Sequence, residues 1–70
     1  MVMVKKKEHT MEHKEIVKIL KNTHPEATNI FKDRFGLWTV EIEDDFEIVN
    51  LAYKVEGTRL RFVGEMIVER

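Results

Sequence analysis

LWTVEIEDDFEIVNLAYKVEGTRLRFVGEMIVER, residues 37–70, alternates apolar and polar side chains through three runs separated by turn chemistry. Trp38, Val40 and Ile42 point one way while Thr39, Glu41 and Glu43 point the other, the period of two of a half-buried strand. The next run, Phe46 to Val55, sets Val49, Leu51, Tyr53 and Val55 on one parity and Phe46, Ile48 and Ala52 on the other. In the last, Thr58 to Glu69, Leu60, Phe62, Met66 and Val68 alternate with Arg59, Arg61, Glu65 and Glu69. Asp44-Asp45 and Glu56-Gly57 supply the intervening turns, the second with a glycine that tolerates positive φ. Gly64 inside the last run marks a bulge or a bend, so that strand is expected to curl. This is a β-meander, and a sheet with one wet face needs a cover for the other.

Upstream, Ile16, Val17, Ile19 and Leu20 fall on one arc at helical spacing, and Lys14, Lys18 and Lys21 fall on the opposite arc. Thr10 suits the N-cap, with Glu12 and Glu15 in the first turns, where carboxylates meet the positive end of the helix dipole. The residue before a proline is pushed out of the α region, so His24-Pro25 ends the helix, giving a span of Met11 to Asn22. Asn29 to Lys32 is a candidate short first strand, which leaves the meander at three or four strands. The expectation is therefore an α+β domain over residues 10–70, one N-terminal helix packed on an antiparallel meander, preceded by a loosely held arm over residues 1–9. Trp38, Val40, Ile42, Leu60 and Phe62 are expected to pack against Ile16, Val17 and Leu20.

Seventy residues make one domain with a modest core, which speaks against a deep catalytic cleft. No cysteine is present, so disulfides and thiolate chemistry are out. Met1 to Val4 is apolar, but Lys5 to Lys7 follow it rather than precede it, unlike a secretory signal. No apolar run nears the roughly 20 residues of a bilayer span. The expected compartment is the cytoplasm. Ten Glu and eight Lys, with no Ser, Gln or Cys, match the lean reported for hyperthermophiles and are compatible with a thermophilic source.

Apolar residues outnumber what one buried face needs. Leu37, Ile48, Val63 and Ile67 carry the parity that faces away from the helix, and a contiguous strip of that kind meets a partner or a second copy. Small domains with short cores gain stability by association. A homodimer through these four residues is expected, with a protein partner as the other occupant and the Met1 to Val4 arm as added cover.

Chemistry-bearing motifs are sparse. His9-Thr10-Met11-Glu12-His13 matches the H-x-x-E-H pattern of inverted zinc proteases, but His9 precedes the N-cap, so the imidazoles do not share a helical face. Glu41, Glu43, Asp44, Asp45 and Glu47 cluster around one turn without the glycine and terminal glutamate of a calcium loop. The reading is of no enzyme, no cofactor and no metal site. A rival is an anion or nucleic-acid module using Lys14, Lys18, Lys21, Arg59 and Arg61. Interleaved Glu8, Glu12 and Glu15, with a net charge of −1, disfavour nucleic acid.

Gly36 to Glu43, followed by Leu51-Ala52-Tyr53-Lys54-Val55, a glycine turn and a final strand ending in Glu69-Arg70, resembles the C-terminal part of the gas-vesicle accessory family GvpO. One helix followed by a meander also resembles the PepSY class of small regulatory domains. Both resemblances imply an accessory or binding role without catalysis, and neither assigns a site residue here.

Overall fold

The computed structural model describes residues 11–69, which form one helix and four strands in the order α1 (His13–Thr23), β1 (Asn29–Lys32), β2 (Trp38–Glu43), β3 (Glu47–Glu56) and β4 (Arg59–Glu69). Every strand pairs antiparallel with its sequence neighbour, giving one sheet in the order β1-β2-β3-β4. The protein is thus an α+β meander, with the short first strand present.

Thr10 lies outside the described residues, and the helix is capped at Glu12 instead. There the Glu12 N–H donates to Glu15 Oε1 at 3.3 Å, satisfying one of the amides that helix geometry leaves open. At the other end the His24 N–H donates to the Leu20 carbonyl at 2.8 Å before Pro25 stops propagation. Thr28 then ties the chain to β2, its N–H and its hydroxyl donating to the Glu41 carbonyl at 2.7 and 3.0 Å.

Two aspartates shape the first two turns. Asp33 Oδ1 accepts from the N–H groups of Phe35 and Leu37 at 2.8 and 2.9 Å, with Gly36 at φ 84°. Asp44 Oδ1 accepts from Phe46 and Glu47 at 2.8 Å each. Each is an Asx-type turn, in which the side chain stands in for a missing backbone partner. The Asp44 turn takes in Phe46, which the alternation had put in the strand. The third turn is one residue later than the expected Glu56-Gly57: Glu56 pairs with Arg59, leaving Gly57-Thr58 as the loop. Gly57 has φ 66° while Thr58 has no positive φ, the pattern of a type II′ hairpin.

Register decides what faces the helix. Trp38 pairs with Tyr53, Val40 with Leu51 and Ile42 with Val49, and directly opposed residues share a face. Ile16, Leu20, Trp38 and Val40 form the buried core, flanked by half-buried Val17, Ile30, Leu51 and Leu60. The His13 ring meets Trp38 edge-on, at 4.8 Å between centroids and 74° between planes. Among the described residues these four are the whole fully buried apolar set.

The β3–β4 register shifts once, between Ala52 and Tyr53: Ala52 pairs with Gly64 but Tyr53 pairs with Phe62, which leaves Val63 as an extra residue. A bulge of this kind reverses side-chain parity beyond it. Val49 therefore opposes Ile67, and Leu51 opposes Glu65, on the helix side; Ile48 opposes Val68, and Asn50 opposes Met66, on the open face. The expected placement of Met66 and Val68 beside the helix is thus corrected, as is that of Ile67 on the outward face. Phe62 keeps its expected side but is 51% exposed, so it is not a core residue.

Candidate interaction surface

β4 is an outer strand of the sheet, 11 residues long, and it is exposed along most of that length. Its far half exposes apolar side chains on both faces. Ile67, 52% exposed, stands on the helix side, while Met66, 61% exposed, and Val68 stand on the open face. The cause is the mismatch between cover and sheet. An 11-residue helix is about 16 Å long at 1.5 Å per residue, whereas β4 runs about 36 Å at 3.3 Å per residue. α1 lies against β1, the opposite edge, so the β3–β4 ladder projects beyond it.

The four residues expected to form one strip are distributed. Leu37, half-buried, sits just before β2; Ile48, half-buried, lies on the open face; Val63 occupies the bulge; and Ile67 lies on the helix side. Val63 and Ile67 remain exposed, and the other exposed apolar residues of the strand are Phe62 on the helix side and Met66 and Val68 on the open face. Sequence reading passed over these three because their parity matched the presumed core. The available signal was length: one three-turn helix cannot cover four strands.

Phe35 and Phe46 are also strongly exposed, each two residues after the aspartate that holds its turn. The repeated Asp-x-Phe pattern at two turns was visible in the sequence and was not singled out there.

Lys14, Lys18 and Lys21 are exposed on the helix. Arg61 is opposite Lys54 on the open face, and its Nε donates to Glu56 Oε2 at 2.9 Å, so part of its charge is already answered. Arg59 and Arg61 border a groove beside Ile19 and Thr23 of the helix, but none of the three helix lysines lines it, so the two groups do not make one basic surface. His9 of the H-x-x-E-H motif lies outside the described residues, and no group of three or more His, Asp or Glu among the described residues is placed to hold a metal ion. No helix among the described residues is long and apolar enough to cross a membrane.

A shallow groove of about 640 Å³ runs between the helix and the β3–β4 hairpin, lined by Ile19, Leu20, Tyr53, Arg59 and Leu60 among others. Beside it a 2.7 Å hydrogen bond joins His24 Nε2 and the Tyr53 hydroxyl, tying the helix exit to β3. Burial pushes the Tyr53 hydroxyl above the usual tyrosine value near 10, because the phenolate loses more from desolvation than the phenol. The folded chain thus holds this proton more tightly than the unfolded chain. Its contribution to stability is full below about pH 10 and is lost as the pH rises from the unfolded value through the folded one. In urea melts the stability of the wild type relative to Tyr53→Phe is therefore expected to fall above about pH 10. An offset that stays constant from pH 8 to pH 11 would show that the hydroxyl is not held protonated by the fold.

Comparison with protein-family models, with curated proteins and with solved structures finds no match to this chain.

Proposed function

We propose that the protein is a non-catalytic binding or structural accessory module that self-associates through the exposed strip on its β3–β4 ladder. The observation that carries this reading is the distribution of apolar surface on β4, where Phe62, Val63, Met66, Ile67 and Val68 are each at least two-fifths exposed. An adjacent run of that size on a small domain marks an interaction site, whereas single exposed aliphatics would need no explanation. A core of four buried residues among those described supports the same reading, because a chain of this length has little apolar burial of its own to spare. The accessory role implied by the resemblance to GvpO and PepSY domains is compatible with it.

Light scattering at micromolar concentration tests the proposal. The wild type is expected to have the mass of two chains, and Val63→Lys combined with Ile67→Lys the mass of one. A single-chain mass for the wild type would sink self-association; an unchanged dimer in the double variant would place the contact elsewhere.

A further inference from the structure

We infer that the partner is a second copy of this chain, joined antiparallel along β4 so that two four-stranded sheets become one eight-stranded sheet with a two-fold axis near Gly64. This rests on the self-association proposed above and specifies its geometry.

The two edges of the sheet are unlike. β1 has four residues, ends in Lys32 and has the helix against it, which are features that blunt an edge. β4 has 11 residues, no proline and no lysine. Among the described residues nothing pairs with its outer side. Because Met66 and Val68 lie on one face and Ile67 on the other, a partner packed flat on either face covers only part of the strip. A strand laid alongside flanks both faces at once. Edge addition is the arrangement that answers the exposure as it stands.

Direction follows from charge. The first half of β4 carries Arg59 and Arg61, and the second half carries Glu65 and Glu69. Antiparallel alignment brings the basic half of each copy beside the acidic half of the other, whereas parallel alignment sets like beside like. The arginines are on the open face and the glutamates on the helix side, so the attraction acts across the edge, within a Debye length of about 8 to 10 Å, rather than as contact ion pairs.

Position follows from the bulge. An extra residue in mid-strand ordinarily disrupts continuous pairing. With the axis at Val63 and Gly64, residues 59–62 of one copy pair with residues 65–68 of the other, and neither half has to pair through the irregularity. Parity agrees: Leu60 and Phe62 share the helix side with Glu65 and Ile67.

The absence of native cysteine makes single-cysteine cross-linking a direct test. Gly64→Cys or Val63→Cys brings two cysteines together across the axis, one step off direct opposition, with α-carbons roughly 6 Å apart, within disulfide range. Arg59→Cys places its pair roughly 30 Å apart, at 3.3 Å per residue. Under mild oxidation the first two variants are expected to form a covalent dimer in high yield and the third to form at least tenfold less. Arg59→Glu with Arg61→Glu is expected to weaken association on the order of tenfold at low salt, with the difference shrinking as salt rises. A two-chain mass without cross-linking at residues 63 and 64 would overturn the edge geometry while leaving self-association standing; sheets packed face to face lie about 10 Å apart, beyond disulfide reach. A one-chain mass would overturn both. A monomer whose β4 amides still resist hydrogen exchange along the outer edge would assign that edge to another segment of the same chain and overturn the second-copy assignment.

Discussion

Trp38→Ala is expected to destabilise the protein by about 3 to 5 kcal/mol, the usual range for removing a buried tryptophan. Trp38 is 3% exposed and stands at the centre of the only fully buried cluster among the described residues, between Ile16 and Leu20 of the helix and Val40 beside it in the sheet. Its ring is also the surface against which His13 packs edge-on, so truncation removes support from the first turn of α1. Against a total stability of about 5 to 15 kcal/mol for ordinary domains, that loss is a large share. It corresponds to a fall in melting temperature of more than about 10 °C in a domain this small. If thermal melts by circular dichroism put the variant within about 3 °C of the parent, the helix–sheet contact is not what holds the fold together.

A second large effect comes from contrast. Leu20→Ala is expected to cost about 2 to 5 kcal/mol, since Leu20 is 1% exposed and its removal leaves a cavity between helix and sheet. Phe62→Ala, a larger truncation in atoms, is expected to cost less than about 1.5 kcal/mol in the isolated chain, because only part of its transfer energy is gained when half the ring stays in water. Its ring meets Tyr53 edge-on at 5.6 Å, at the margin of the core. Above the association threshold the Phe62 effect should grow with protein concentration, while the Leu20 effect should change little. Equal costs for the two variants in dilute urea titrations would restore Phe62 to the core and remove it from the interaction surface.

Much of the fold was legible because the signals were local. Alternation in 38–43 and the proline at position 25 located β2 and the helix end to within about a residue, since both depend on short-range backbone sterics. Asn29 to Lys32 emerged as β1 at its expected limits, fixed by Thr28 bonding to Glu41. Glu12 was read as a first-turn carboxylate and is the cap itself, a difference between two acceptors one or two residues apart that composition cannot resolve. The placement of the exposed strip failed for a different reason. Gly64 signals a bulge, but alternation counted straight through it puts Met66, Ile67 and Val68 each on the face opposite to the one they occupy. Which residues are covered depends on where a single helix comes to rest, and that is a tertiary property no alternation encodes.

The extra residue at Val63 behaves like a phase shift in a periodic signal. Before it, even-numbered positions of β4 point to the helix; after it, odd-numbered ones do. Deleting Val63 would close the ladder into unbroken alternation, with Phe62 and Gly64 still opposite Tyr53 and Ala52, Met66 and Val68 still on the open face and Ile67 still on the helix side. Val63 is thus a spare residue that the strand carries without either of its halves depending on it for the direction its side chains take.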